Sequence, residues 1–149
     1  MANQLRWLRF GGTYPGRGDL EHTTVPFGAS HALGHSLGGT AAVPHGYTSC
    51  VMLPAVVAYN LEGGTIGIRG ASELAEVFGR GPIADAIAAF IAELGMPRSL
   101  REVGVRPEDL PAIAKMVMKD PWLKTNPRPV GQDDALRILR SALGASAKL

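Results

Sequence analysis

The chain has 149 residues, of which 46% are hydrophobic and 19% are charged, and its formal net charge is +2. These values are typical of one globular domain with a sizeable core, and they exclude a disordered chain. The small net charge, without a basic run or a patch of interleaved basic and aromatic residues, argues against a nucleic-acid-binding protein.

In the first quarter of the chain, glycines and prolines separate short helical segments. Asn3 to Phe10 is predicted to be the end of a helix, and the glycine-rich stretch Gly11 to Thr24 is predicted to be a loop. Val25 to Leu37 is apolar and rich in small residues, and Pro26 suits a first helical turn. We therefore expect a helix over Val25 to Leu37.

The most buried helix is predicted between His45 and Tyr59. Its segment Cys50 to Val57 is apolar on all sides, which is typical of a helix at the centre of a domain, and Pro54 marks the position of a kink. Cys50 is the single cysteine of the sequence, so it suits a reducing compartment. Its apolar neighbours favour a buried, unreactive thiol over a reactive one.

Further helices are predicted in the C-terminal half. Pro107 to Asp120 opens with acidic residues, which the helix dipole favours in a first turn, and Gly95 suits a helix stop after Leu94. The other predicted elements are the connection Leu61 to Arg69, the helices Ser72 to Phe78 and Pro82 to Leu94, the short segment Ser99 to Val103, and the closing helix Gln132 to Leu143. Because we find no strand pattern and no repeat, the predicted fold class is all-α, with one helical domain over residues 1–149.

Three of the four histidines, His31, His35 and His45, lie close together in the sequence. His31 and His35 are four residues apart, which places them one turn apart on the same face of a helix. The break from Gly38-Gly39 to Pro44 lets the chain turn and bring His45 back towards them. Histidine is the commonest metal ligand and transfers protons readily near neutral pH. The pattern therefore predicts a metal or proton-transfer site, although a surface or core pair gives the same spacing.

On the residues alone, all three imidazoles are candidate ligands. The spacing differs from the H-E-x-x-H motif of zinc hydrolases, because Ala32, Leu33 and Gly34 stand where the glutamate base would be. A stand-alone metal hydrolase would also need a carboxylate base beside the histidines, and the sequence places none nearby.

The pattern H-x3-H-x9-H, with LGG, PHG and LPxVxxYN around it, resembles the C-terminal, metal-binding half of the iron-containing (group III) alcohol dehydrogenases. The nearest branch is the one that contains the maleylacetate reductases. Further matching pieces include Leu94-Gly-Met-Pro97 and Thr125-Asn-Pro-Arg-Pro129, and the resemblance runs from Asn3 to Leu143. It implies the helical C-terminal domain of the dehydroquinate synthase-like or iron-containing alcohol dehydrogenase fold.

The resemblance also implies a chemistry. Enzymes of this family hold a metal and a nicotinamide in the cleft between a nucleotide-binding α/β domain and the helical domain. They move a hydride between an alcohol and an aldehyde, or reduce a related carbonyl or enol acid, with NAD(P). By position, His31 and His45 match two ligands of the Fe²⁺ or Zn²⁺, and His35 matches the histidine of the proton relay.

The chain departs from the family in two respects. It has no G-x-G-x-x-G motif and no alternation of strands and helices, so we expect that the nucleotide-binding domain is absent. The family's other two ligands, an Asp and a His four residues apart, are also missing, because Asp19-Leu-Glu-His22 has a spacing of three. Two histidines form only a partial site, since catalytic metal sites usually have three protein ligands.

Three functions follow from these observations. The leading one is the C-terminal domain of an iron-type dehydrogenase, inactive alone, which acts on a small alcohol or aldehyde once a nucleotide-binding domain completes it with NAD(P). The second is a non-catalytic helical module for binding or oligomerisation, and the third is the metal hydrolase. We expect a cytoplasmic protein without a membrane span, because no secretory signal or long apolar run is visible. We also expect a homo-oligomer. The face that the missing nucleotide-binding domain would cover should be apolar, and a large exposed apolar face seldom stays unpaired.

Overall fold

A computed structural model describes residues 26–64, 73, 76–78 and 81–144 of the chain. Within these ranges, five α-helices and two 3-10 turns have both ends defined, residues 73 and 76–78 are also helical, and no strand occurs there. The helices are α1 (Ala29–Ala41), α2 (His45–Glu62), α3 (Ile83–Glu93), α4 (Leu110–Val117) and α5 (Gln132–Ala142). The 3-10 turns are Pro107–Asp109 and Pro121–Thr125. The prediction of an all-α fold is confirmed.

Helix α1 begins four residues later than Val25, where the sequence predicted its start. Pro26 and Phe27 precede the helix, and Gly28 is its N-cap with an extended backbone at φ −122°. The prediction that Pro26 lies in the first turn is therefore wrong. The backbone of Gly28 suits the residue before a helix, where the carbonyl group accepts the first helical hydrogen bond.

Helix α1 also ends later than predicted. It continues through Gly38 and Gly39, and the chain turns at Ala42, whose backbone is left-handed at φ 53°. The break between the helices thus lies after the two glycines rather than at them. Glycine inside a helix is unfavourable by only about 1 kcal/mol, which the packing of the buried Leu33 and Leu37 of the same helix outweighs.

Helix α2 begins at His45, as predicted, and extends past Tyr59 to Glu62. It packs against α1, α3 and α5, so the prediction of a central helix is confirmed. Val51, Met52 and Val56 are buried, whereas Leu53 is 39% exposed. The expectation that the segment around Pro54 is buried on all sides is therefore wrong, because the packed neighbours leave one side of α2 open.

The later helices agree more closely with the sequence. Helix α3 is followed by Gly95 at φ 67°, the predicted stop, and α5 ends one residue before Leu143. The predicted helix Pro107 to Asp120 is divided into a 3-10 turn and α4, and it ends earlier, at Val117. The pattern therefore located every described helix of this half, but not all the ends.

The core joins α1, α2, α4 and α5. Leu33, Leu37, Met52, Ile113 and Leu139 are fully buried within it. Burial of each such side chain contributes about 1.5–3 kcal/mol. The two helices that carry the histidines are consequently held on a common core.

Cys50, which the sequence predicted to be buried, is only partly buried. Its thiol donates to the Gly46 carbonyl oxygen at 3.4 Å, and burial raises the pKa of the thiol. A raised pKa means less thiolate, as expected for an unreactive cysteine.

Several predictions lie outside the described residues. These are the helix Asn3 to Phe10, the loop Gly11 to Thr24 with Asp19-Leu-Glu-His22, and most of the connection Leu61 to Arg69. Of the predicted helix Ser72 to Phe78, residues 73 and 76–78 are described, and all four are helical. Among the residues that the structure describes, no helix is long and apolar enough to cross a membrane.

Candidate functional site

The three histidine rings lie together at the junction of α1 and α2. The ring centres of His31 and His35 are 4.3 Å apart, which follows from their positions one turn apart on α1. His45, the first residue of α2, has its ring centre 5.2 Å from that of His31 and 5.8 Å from that of His35. The structure therefore brings together all three predicted site residues.

A close approach of the two helices positions His45. Gly34 lies on α1 between the two histidines of that helix, and a Cβ atom on it would lie 2.8 Å from the Thr48 Oγ1 atom of α2. The Thr48 hydroxyl donates to the carbonyl oxygen of His45 at 2.7 Å. Since both Gly34 and Thr48 are buried, the small glycine lets α2 hold the His45 ring close to α1.

A carboxylate holds His35. The Nδ1 atom of His35 lies 2.7 Å from Oδ2 of Asp120, and the other oxygen of Asp120 accepts from the backbone N–H of Trp122 at 2.9 Å. The side chain of Asp120 is 12% exposed and that of His35 is 45% exposed. A carboxylate can only accept hydrogen bonds, so the proton of the neutral ring lies on Nδ1 and Nε2 is left as the basic nitrogen.

Aromatic rings surround His31. Phe27 stacks on it with ring centres 4.2 Å apart and an interplanar angle of 16°, and Trp122 meets the Phe27 ring edge-on at 5.1 Å. Burial lowers the pKa of His31, the nearby His35 and His45 lower it further, and Asp120 opposes the shift. His31 therefore favours the neutral form, which is the form that binds metal ions.

The ligand set in the described part of the chain is incomplete. No group of three or more His, Cys, Asp or Glu side chains in residues 26–64, 73, 76–78 and 81–144 is arranged to hold a metal ion. The predicted ligand pair of His31 and His45 would therefore be only part of a metal site.

Sequence reasoning missed Asp120, Phe27 and Trp122. We predicted no carboxylate near the histidines, and that is wrong, because the 3-10 turn Pro121–Thr125 packs against α1 and brings Asp120 to His35 from 85 residues away. One signal was present: an Asp before a Pro and a Trp is a favourable cap for a helical turn. Nothing local indicated which side chain that turn would meet.

The sequence profile of the Fe-containing alcohol dehydrogenase family, C-terminal part, matches residues 21–143. Maleylacetate reductase 1 of Cupriavidus pinatubonensis is 38% identical to the chain over 112 residues, which cover 75% of this chain and 30% of that protein. The 1,3-propanediol dehydrogenase of Citrobacter freundii is 33% identical over 126 residues, covering 77% of this chain and 32% of that protein. The chain spans about a third of the length of these curated relatives.

Solved structures agree with this similarity. A 1,3-propanediol oxidoreductase superposes with a TM-score of 0.70 at 31% identity, covering 78% of this chain and 32% of that one. A maleylacetate reductase from a Rhizobium species superposes with a TM-score of 0.66 at 35% identity, covering 76% of this chain and 31% of that one. The chain belongs to the iron-containing alcohol dehydrogenase family and corresponds to the helical C-terminal part of its members.

Proposed function

We propose that this chain is the metal-binding helical part of an iron-type, NAD(P)-dependent dehydrogenase. His31 and His45 bind Fe²⁺ or Zn²⁺, and His35 carries the proton. The observation that supports this most directly is the cluster of three imidazoles at the junction of α1 and α2. The relatives that share the family are named as dehydrogenases and reductases.

The spacing of the imidazoles supports the choice of His31 and His45 as the ligand pair. Two imidazoles that bind one tetrahedral zinc ion through nitrogen have ring centres about 5 Å apart, since each zinc–nitrogen distance is about 2.0–2.1 Å. His31 and His45 are 5.2 Å apart, whereas His31 and His35 are closer, at 4.3 Å, and His35 and His45 are more distant, at 5.8 Å. These donors fit the metal as part of a site, with the remaining ligands supplied from elsewhere.

The hydrogen bond to Asp120 supports a different role for His35. With Nδ1 held by the carboxylate, Nε2 is the nitrogen that can take a proton from a substrate hydroxyl group or return one. Asp120 also stabilises the positive charge that the ring gains in that step. When bound, the metal supplies Lewis-acid polarisation of the substrate oxygen.

The nicotinamide nucleotide and most of the substrate contacts belong to a nucleotide-binding part outside this chain. The 149 residues contain no glycine-rich motif that would place a pyrophosphate at a helix N-terminus. We therefore propose that these 149 residues alone are inactive and that a nucleotide-binding part completes the enzyme. The substrate of the completed enzyme is a small alcohol, an aldehyde or a maleylacetate-like enol acid.

Single histidine substitutions test this assignment. Zinc binding by the purified chain, measured by calorimetry at neutral pH, should be weak, and His31→Ala and His45→Ala should each abolish it. His35→Ala should leave binding nearly intact, and it is the matched control because it removes the third imidazole of the same cluster. Far-ultraviolet circular dichroism confirms that each variant is folded. If His35→Ala is the most damaging of the three, or if the wild-type chain binds no metal, the assignment is wrong.

A further inference from the structure

Helix α1 has no cap of its own at the end that carries His31. Its N-cap is Gly28, which has no side chain to accept from the first backbone N–H groups. The amide oxygen of Asn126 accepts from the Ala29 N–H at 3.1 Å instead, across 97 residues of sequence. A Cβ atom on Gly28 would lie 3.0 Å from that oxygen. Glycine at position 28 thus leaves room for a cap that comes from a distant segment.

The same amide also forms a hydrogen bond with α2. The Nδ2 atom of Asn126 donates to Oδ1 of Asn60 at 2.8 Å and to the Arg128 carbonyl oxygen at 2.6 Å. Both asparagines are buried, at 7% and 6% exposure. The neighbouring Tyr59 hydroxyl donates to the Pro129 carbonyl oxygen at 2.6 Å. Asn126 therefore joins the start of α1 to the later part of α2.

We infer that Asn126 is a positioning residue for His31, which acts by capping the first turn of α1 from outside the helix. The inference rests on the proposed role of His31 as a metal ligand. His31 is the third residue of α1, and its backbone N–H donates to the Gly28 carbonyl oxygen at 3.1 Å. Loss of the cap loosens this turn first, since helices fray from their ends.

The effect is specific to one histidine of the three. His35 lies a turn further into the helix and is held by Asp120, and His45 lies on α2. Phe27, which stacks on His31, has its carbonyl oxygen at hydrogen-bonding distance from the Thr125 hydroxyl. Thr125 and Asn126 thus bond to the residues on either side of Gly28, which are Phe27 and Ala29.

The test compares Asn126→Ala with wild type in the full chain by two measurements. The first, without metal, is the nuclear Overhauser contact between the Phe27 and His31 rings, which should be lost while the His35 ring signals stay unchanged. The second is zinc affinity at a temperature where both proteins are folded, which should fall about 10- to 100-fold, as for other groups that orient a ligand. The matched control is Asp109→Ala, which removes the carboxylate that accepts from the Arg106 N–H at the 3-10 turn Pro107–Asp109. It should lower the melting temperature without affecting zinc affinity.

A local cap should replace the distant one. Gly28→Ser on its own places a Cβ atom against Asn126 and should destabilise the chain, whereas in Gly28→Ser/Asn126→Ala the serine has room and can cap α1 itself. The double variant should regain the Phe27–His31 contact and most of the zinc affinity, and it replaces Asn126→Ala if that variant does not fold. An unchanged ring contact and unchanged zinc affinity in folded Asn126→Ala would overturn the inference. If wild type binds no zinc, the proposed function fails, and the ring contact alone then decides the role of Asn126.

Discussion

Gly34→Ala should separate the two helices that carry the histidines. The added methyl group would lie 2.8 Å from Oγ1 and 3.3 Å from Cβ of Thr48. Thr48 is a branched, fully buried residue whose hydroxyl is already bonded to the His45 carbonyl oxygen. It cannot rotate away freely, so α1 and α2 must move apart by several tenths of an ångström.

The expected size follows from two opposing effects. Overpacking of a core is unfavourable by about 1–3 kcal/mol, and replacing glycine by alanine inside a helix is favourable by about 0.5–1 kcal/mol. We therefore expect a net destabilisation of about 1–2 kcal/mol, which lowers the melting temperature by about 2–4 °C per kcal/mol in a chain of this size. Because His45 moves with α2, zinc affinity should fall as well.

Thermal unfolding followed by circular dichroism measures the change, and Gly39→Ala is the matched control. Gly39 lies on the same helix, but nothing lies within 4 Å of the position of its Cβ atom, so that variant should be stabilised by up to about 1 kcal/mol. Adding Thr48→Ala to Gly34→Ala should recover part of the lost stability. If Gly34→Ala is as stable as Gly39→Ala, the close approach of the helices does not constrain the site.

Three further predictions concern the core, an ion pair and the reaction. Ile113→Ala should lower the free energy of unfolding by about 2–5 kcal/mol. Met116 lies on the same helix but is 48% exposed, so Met116→Ala should change that free energy by less than about 0.5 kcal/mol. Equal effects of the two substitutions in urea unfolding would contradict the described core. The Arg106 side chain holds the pKa of Asp109 below its ordinary value, so the stabilising contribution of Asp109 is present above the unfolded pKa of about 3.9 and is lost as the pH falls through the folded pKa. The stability advantage of wild type over Asp109→Asn in urea should therefore disappear in acid, and a difference that persists at pH 2 would refute this. The chain alone should oxidise no alcohol with NAD or NADP, as measured by absorbance of the reduced nucleotide. Clear turnover by the homogeneous chain would show that the chain contains a nucleotide-binding site of its own.

The sequence predicted the parts of the fold that depend on local spacing. The i,i+4 spacing of His31 and His35 gave their common face correctly, because helical periodicity fixes that face wherever the helix ends. The turn that returns His45 was predicted, but the left-handed residue proved to be Ala42 rather than a glycine. Packing decides how far a helix continues through unfavourable residues, and a local pattern does not contain that information.

The parts of the site that come from distant segments could not be predicted in the same way. Asp120 reaches His35 only because a 3-10 turn docks on α1, and the contact depends on tertiary packing alone. Asn126 is an intermediate case. The motif Asn126-Pro-Arg-Pro129 stood out in the sequence, but its contact with the start of α1 depends on Gly28, where a Cβ atom would lie 3.0 Å from the Asn126 amide oxygen. The motif therefore drew attention to Asn126, but only the fold shows that this residue caps α1.

The central claim is that His31 and His45 share one metal ion and that His35 does not bind it. Anomalous diffraction from crystals of the chain grown with Zn²⁺ tests this directly. We expect one anomalous peak in contact with His31 and His45, with zinc–nitrogen distances of about 2.0–2.1 Å, and with His35 still bonded to Asp120. A peak on His35 and Asp120, or no peak among the three rings, would contradict it.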